Sequence, residues 1–185
     1  MKRIFLIRSG GFSKKFINKI NKLCKLQDGD LVARCKNASG NNKDLFNGIT
    51  NLAFFRQDTQ VDFKLNPEKA IFMTNSNHLS VPTFPVQENI KYDIFNNDIG
   101  VINPSLGIFA IAYLRLRYPD YVIVLIDFTH QGNTRHNWEN ERHFAKQLKI
   151  NKKLIYIIDQ DKDVLGFELG TIGFLCGVLI LARNK

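Results

Sequence analysis

The spacing of apolar residues along the chain predicts strands alternating with helices. Short apolar runs are typical of buried parallel strands, whereas apolar residues three or four positions apart are typical of helices. Strands are predicted at 4–7, 30–35, 52–56, 70–74, 121–126 and 153–158, and helices at 13–23, 108–117 and 139–148. This alternation predicts one Rossmann-like α/β domain over residues 1–185, with a mostly parallel central sheet flanked by helices.

Three segments depart from this alternation. Residues 37–44 are polar and predict a loop, and residues 75–97 carry two prolines and many amides, which predicts a longer loop and a candidate lid. The apolar run at 169–182 is 14 residues long, shorter than the roughly 20 residues that span a bilayer. We interpret it as a buried helix, with contact to a membrane surface as the alternative.

Composition supports a compact soluble domain. The chain has 185 residues, of which 44% are hydrophobic and 23% charged, and these values exclude disordered, collagen-like and coiled-coil classes. Three widely spaced cysteines indicate neither a disulfide framework nor a cysteine zinc site, and a reducing cytosol suits them. The opening MKRIFLIRSGG has too short an apolar run for a signal peptide, and a first strand is the better interpretation.

A formal net charge of +9 favours a polyanionic or phosphate-bearing partner. Charge alone does not choose between nucleic acid, an anionic membrane surface and a nucleotide-sugar donor. Five lysines of the first predicted helix form a candidate basic face, although a solvated helix surface is the simpler interpretation: Lys14, Lys15, Lys19, Lys22 and Lys25.

Histidines cluster after the strand at 121–126, at the edge where α/β enzymes place their chemistry. His136 and Glu141 lie five positions apart at a loop-to-helix junction, so the imidazole stays in the loop while the carboxylate enters the first helical turn. A neutral imidazole can take a proton from a hydroxyl near neutral pH. The alternative is that His136 is a surface or capping residue. Together with His130 and His143, this pair matches no zinc-ligand spacing, so we expect no metal.

Two segments offer backbone N–H groups to an anion. The turn Arg8, Ser9, Gly10, Gly11 follows the first strand, and glycine lets the chain approach a phosphate closely, although a plain tight turn is the alternative. Ser105 and Gly107 lie near the start of a predicted helix, where unpaired N–H groups favour anions. No GxGxxG, P-loop or GxSxG motif occurs.

Five segments, in this order, resemble motifs of the sialyltransferases, and together they cover more than half of the chain. The turn in LIRSGGFS resembles the family's Gly-Asn-Gly-Pro-Ser turn, and DLVARCKNASGNNKDLF resembles its Asp-x-Val-x-Arg-x-Asn segment with the following Gly and Asp. NPSLG resembles Pro-Ser-Ser/Thr-Gly before a helix, VIVLIDF resembles a strand ending in Gly-Phe-Asp or Gly-Ile-Asp-Phe, and HNWENE matches His-x4-Glu.

This resemblance implies a cytoplasmic enzyme of bacterial surface-glycan synthesis, either free or at the inner membrane surface. It implies a CMP-activated sialic-acid-type donor, a glycan hydroxyl as acceptor, and an inverting displacement without metal or another cofactor. By position, His136 is the general base and Glu141 supports it. The implied donor-binding residues are Ser9, Gly10, Gly11, Arg34, Asn37, Ser105, Leu106, Gly107 and Asp127.

The chain also departs from the family pattern. Arg8 and Ser9 replace Gly-Asn, Lys36 replaces Asn, Leu106 replaces a hydroxyl residue, and Asp127 stands where one form has Gly. Two alternatives therefore remain, a catalytically inactive relative and a basic module that binds nucleic acid or other anions, with nucleic acid the less expected partner. The enzyme hypothesis requires that the turn at 8–11, the helix start at 105–107 and His136 converge on one edge of the sheet.

Overall fold

The computed structural model describes residues 1–36, 40–56, 66–74, 86–91, 104–128, 136–150 and 154–157. Their elements, in chain order, are β1 (Arg3–Ile7), α1 (Lys14–Leu23), β2 (Leu31–Cys35), a 3₁₀ segment (Gly40–Gly48), β3 (Leu52–Arg56), β4 (Lys69–Thr74), β5 (Gln87–Lys91), α2 (Leu106–Arg117), β6 (Val122–Ile126), α3 (Trp138–Ile150) and β7 (Leu154–Ile157).

The described strands form one seven-stranded parallel sheet in the order β5-β4-β3-β2-β1-β6-β7. The chain moves outward from β1 to β5 and then returns to the other side of β1 with β6. The pairing of β1 with β6 runs in register from Arg3 opposite Val122 to Ile7 opposite Ile126. The order of strands therefore reverses between β1 and β6, and open α/β sheets bind ligands at such a switch point, beyond the carboxyl ends of the strands. The predicted α/β fold is confirmed.

Helices on both faces explain why the central strands are continuously apolar. On β1, Ile4 and Leu6 pack in the cluster that contains α2, whereas Phe5 and Ile7 pack in the cluster that contains α1. Residues Ile4 to Ile7 are fully buried. A strand covered on both faces has no solvent side that would require polar residues.

Serine caps begin two of the helices. Ser13 Oγ accepts a hydrogen bond of 3.1 Å from Phe16 N at the start of α1, and Ser105 Oγ accepts one of 3.3 Å from Ile108 N at the start of α2. Because the helices return antiparallel to the strands, the amino ends of α1, α2 and α3 all lie at the carboxyl edge of the sheet. This edge is where the sequence places the candidate site.

At the opposite edge, a polar network joins β4, β5 and α2. Glu88 accepts hydrogen bonds from Lys69 Nζ, from Tyr113 Oη at 2.7 Å and from Arg117 Nη2 at 2.7 Å. Burial raises the pKa of the Glu88 carboxyl, but these hydrogen bonds outweigh it and lower the pKa to about 2. The network links β5, an outermost strand of the sheet with little apolar surface, to α2.

Two predictions from hydropathy were wrong. Part of the loop predicted at 75–97 is β5, in which only Ile90 is buried, and part of the polar loop at 37–44 belongs to the 3₁₀ segment. Strand pairing holds β5, and side-chain hydrogen bonds of Asn41 and Asn42 hold the polar part of the 3₁₀ segment. The proposed lid over the rest of 75–97 and the helix predicted at 169–182 fall largely or wholly outside the described residues. No helix in the described part of the chain is long and apolar enough to cross a membrane.

Candidate functional site

An ion pair connects the turn after β1 to the residue after β6. Arg8 Nε donates a hydrogen bond of 2.6 Å to Asp127 Oδ2, and the Asp127 side chain is fully buried. Asp127 adopts a left-handed backbone with φ of 58°, a conformation uncommon for residues other than glycine. The Arg8 guanidinium also donates to the carbonyl oxygens of Ser9 at 2.6 Å and Gly11 at 3.3 Å. The switch point is therefore bridged by a buried carboxylate and a partly exposed cation.

The turn itself has its carbonyl groups held by a side chain. Asn42 Nδ2 donates to Arg8 O at 2.7 Å and to Gly10 O at 3.0 Å. Gly10 has φ of 106°, and a Cβ atom there would lie 2.5 Å from Arg8 Nη1, so the turn requires glycine. Among the described residues, no acceptor pairs with the backbone N–H groups of Ser9, Gly10 or Gly11. In this turn, these three N–H groups are available to an anion.

Arg34 lies in the interior, beneath this turn. Its guanidinium is fully buried and donates to Thr50 Oγ1 at 2.9 Å, to both oxygens of Asn42 at 2.6 and 2.8 Å, and to Leu45 O at 2.7 Å. Burial lowers the pKa of Arg34 to about 10. The sequence predicts that Arg34 contacts the CMP-sugar. In the structure its guanidinium instead donates its hydrogen bonds to acceptors within the protein. Arg34 supports the turn through Asn42 instead.

A buried carboxylate joins α3 to the start of α2. Glu141 Oε1 accepts a hydrogen bond of 2.6 Å from Ser105 N, and Oε2 accepts one of 2.7 Å from Ser105 Oγ. Glu141 is fully buried. Ser105 therefore gives both of its donors to Glu141, while the backbone N–H groups of Leu106 and Gly107 have no acceptor among the described residues. The Leu106 side chain is buried in the core, so its backbone is the part that can contact a ligand.

His136 contributes to the electrostatic environment of the Glu141 carboxyl. Burial raises the pKa of the Glu141 carboxyl, and the two hydrogen bonds from Ser105 and the electrostatic interaction with His136 oppose this shift. The half-buried His136 ring meets the Trp138 ring edge to face at a centroid distance of 5.3 Å, and His136 O accepts a hydrogen bond of 3.1 Å from Trp138 N. The imidazole thus lies just before α3, the helix whose Glu141 carboxylate binds Ser105 at the start of α2.

Gly107 and Phe128 complete the connection between the two halves of the site. A Cβ atom at Gly107 would lie 2.7 Å from Phe128 Cε1, so the start of α2 packs directly on the residue that follows Asp127. Contacts therefore run from Arg8 through Asp127 and Phe128 to the start of α2, and from there through Glu141 toward His136. We call this arrangement the carboxyl-edge site.

Asn37 lies outside the described residues, as does His130. Cys24 and Cys35 are buried, and burial raises their pKa values to about 11 and about 12, so their thiols are poor nucleophiles. Within the described ranges, no three His, Cys, Asp or Glu side chains are grouped to hold a metal ion. Sequence reasoning missed Asn42, because nothing distinguishes it from the neighbouring amides of a polar loop.

The chain matches no protein-family model, and no similar protein is found among the curated proteins or the solved structures. The assignment of the fold class therefore rests on the topology of the sheet. The sialyltransferase resemblance rests on the sequence motifs alone.

Proposed function

We propose that this protein is a glycosyltransferase that transfers a sialic-acid-type sugar from a CMP-activated donor to a glycan hydroxyl, with inversion at the anomeric carbon. The observation that carries the proposal is the double hydrogen bond between Glu141 and Ser105. It joins the HNWENE segment to the amino end of α2 beside the switch point, where α/β proteins bind nucleotides. This contact supports a common site for two motifs of the resemblance that are separated in the sequence.

The carboxyl-edge site has groups suited to a departing CMP phosphate. Free backbone N–H groups come from the turn at 9–11 and from Leu106 and Gly107, and the latter two also add the positive end of the α2 dipole. Arg8 contributes a guanidinium whose charge is partly balanced by Asp127. These donors would stabilise negative charge as the bond between the sugar and the phosphate oxygen breaks.

In the proposed reaction, His136 acts as the general base. Its neutral imidazole takes the proton of the acceptor hydroxyl while that oxygen attacks the anomeric carbon from the face opposite the CMP group. The new glycosidic bond forms as CMP leaves with the electron pair of the broken bond. Glu141 acts through position, because its carboxylate accepts hydrogen bonds from both donors of Ser105 and so fixes the start of α2 relative to α3. We expect the reaction to need no metal and no other cofactor.

CMP binding and donor turnover test the proposal together. CMP is expected to raise the melting temperature by preferential binding to the folded state. His136→Ala should lower transfer and donor hydrolysis by about 100-fold or more and leave the CMP effect intact. The matched control is His143→Ala, a change at an exposed histidine in α3, the helix that follows His136. The proposal would be contradicted if cytidine nucleotides left the melting temperature unchanged, or if His136→Ala left the turnover of the donor unchanged.

One observation favours an inactive relative as the second candidate. Leu106 replaces a hydroxyl residue, and the remaining hydroxyl, on Ser105, is donated to Glu141. A phosphate contact is thereby lost from the start of α2. CMP binding without turnover of the donor, across a panel of acceptors, would identify this case and would replace the transferase proposal with a CMP-binding role.

A further inference from the structure

Helix α1 carries an unusual concentration of positive charge. Between Ser13 and Gln27 the chain has five lysines and no acidic residue, and these lysines contribute more than half of the net charge of +9. Lys14, Lys15, Lys22 and Lys25 are exposed, and Lys19 is half-buried. We call these five residues the α1 lysine face.

The lysine face points away from the sheet. Phe16, Ile17 and Ile20 are buried against β1, β2 and β6. Lys15, Lys19 and Lys22 follow one another at intervals of four and three residues, which places them along a single opposite side of the helix. The charges of Lys15, Lys19 and Lys22 therefore lie along one side of α1, opposite the side buried against the sheet, with Lys14 and Lys25 near the two ends of the helix.

This arrangement does not serve the stability of the helix. None of the five lysines forms an ion pair with a described residue. Like charges three or four positions apart repel each other, and Lys14 and Lys15 also lie at the positive end of the helix dipole. An anionic partner would offset both the repulsion between the lysines and their unfavourable interaction with the helix dipole.

We propose that the α1 lysine face binds an anionic lipid membrane surface and holds the protein there as a peripheral protein. The face contains no arginine, the residue best suited to bidentate contacts with phosphodiesters and bases. It also presents no exposed aromatic ring on which bases could stack, because Phe12 and Phe16 are buried. Exposed lysine point charges fit the diffuse charge of a lipid surface, which attracts each lysine separately. These features favour lipid over nucleic acid.

Membrane binding through the α1 lysine face does not depend on the proposed enzyme activity, although the positions of the two sites are compatible. Helix α1 begins at the carboxyl edge of the sheet, directly after the turn at 8–11. A protein docked through this helix would hold the carboxyl-edge site next to the membrane.

Vesicle sedimentation tests the proposal with the full-length chain. Binding is expected to vesicles that contain phosphatidylglycerol, but not to phosphatidylcholine alone, and is expected to fall steeply as salt is raised. At about fivefold for each lysine, the double variant Lys15→Gln and Lys22→Gln should lower the partition coefficient by about 25-fold. The matched control, Lys91→Gln with Lys146→Gln, removes two exposed lysines elsewhere and should change it by less than about threefold.

Three results would overturn the proposal. One is absence of binding to anionic vesicles at low salt. Another is an equal loss in the two double variants, which would mean that overall charge, and not this face, is responsible. A third is tighter binding to duplex DNA than to anionic vesicles at the same salt concentration, which would assign the face to nucleic acid instead.

Discussion

Replacing Glu141 by alanine removes the carboxylate that accepts hydrogen bonds from both donors of Ser105 and so joins α3 to the start of α2. Hydrogen bonds to a charged group contribute about 1.5–3 kcal/mol each. Part of this gain is offset by the cost of burying the carboxylate, which is visible in its raised pKa. We therefore expect Glu141→Ala to lower the free energy of unfolding by about 3 kcal/mol near neutral pH.

Glutamine at this position separates the hydrogen bonds from the charge. Its amide oxygen can still accept from Ser105 N, so Glu141→Gln should cost less stability than alanine. Because the folded state raises the pKa of Glu141, the folded protein holds that proton more tightly than the unfolded chain does. Wild-type stability relative to Glu141→Gln should therefore fall as the pH rises through the ordinary carboxyl pKa and then through the raised one.

Urea unfolding followed by circular dichroism measures these differences, with an unchanged m value as the sign of two-state behaviour. Glu139→Ala is the matched control, because Glu139 is an exposed carboxylate in the same first turn of α3; it should cost about 0.5 kcal/mol or less. In a double-mutant cycle with Ser105→Ala, the coupling energy should be about 1 kcal/mol or more. A loss below about 0.5 kcal/mol for Glu141→Ala would refute the interpretation of this contact.

Three further outcomes can be checked on the same protein. Gly107→Ala should cost about 1–3 kcal/mol, because the added methyl group meets Phe128 at 2.7 Å; an unchanged urea midpoint would contradict this packing. Arg34→Met should cost at least about 3 kcal/mol, since several buried acceptors lose their donor, and a stable variant would show that the guanidinium is dispensable. The pKa of Glu88 is lowered to about 2, so its stabilising contribution is complete above the ordinary carboxyl pKa and is lost as the pH falls toward 2. In Glu88→Gln, the free energy of unfolding should therefore change less with pH in the acid range than in the wild type. The same pH dependence in both proteins would show that the Glu88 network does not stabilise the fold.

The elements that bury apolar side chains could be predicted from the sequence alone. Strands β1, β3 and β6 and helix α2 were predicted to within one or two residues, because their apolar runs reflect burial between two layers. Strand β5 was missed because only Ile90 is buried in it, and a polar edge strand is specified by pairing with its neighbour. Such pairing leaves little trace in local hydropathy.

Some residues of the site could be predicted from local sequence patterns, and others could not. The helix start at Ser105 and the position of Glu141 in the first turn of α3 could be predicted, because caps and spacing are local features. The contacts of Arg34 and Asn42 could not be predicted, since a buried arginine is identified only by the acceptors that surround it. The pairing of Arg8 with Asp127 joins residues 119 positions apart, and no local pattern encodes it.

A structure of the protein with CMP bound tests the central claim most directly. The account predicts a phosphate within hydrogen-bond distance of N–H groups from the turn at 9–11 or from Leu106 and Gly107, with the sugar-bearing side of the phosphate directed toward His136. Cytidine bound away from the carboxyl edge of the sheet, or no binding at millimolar CMP, would contradict it.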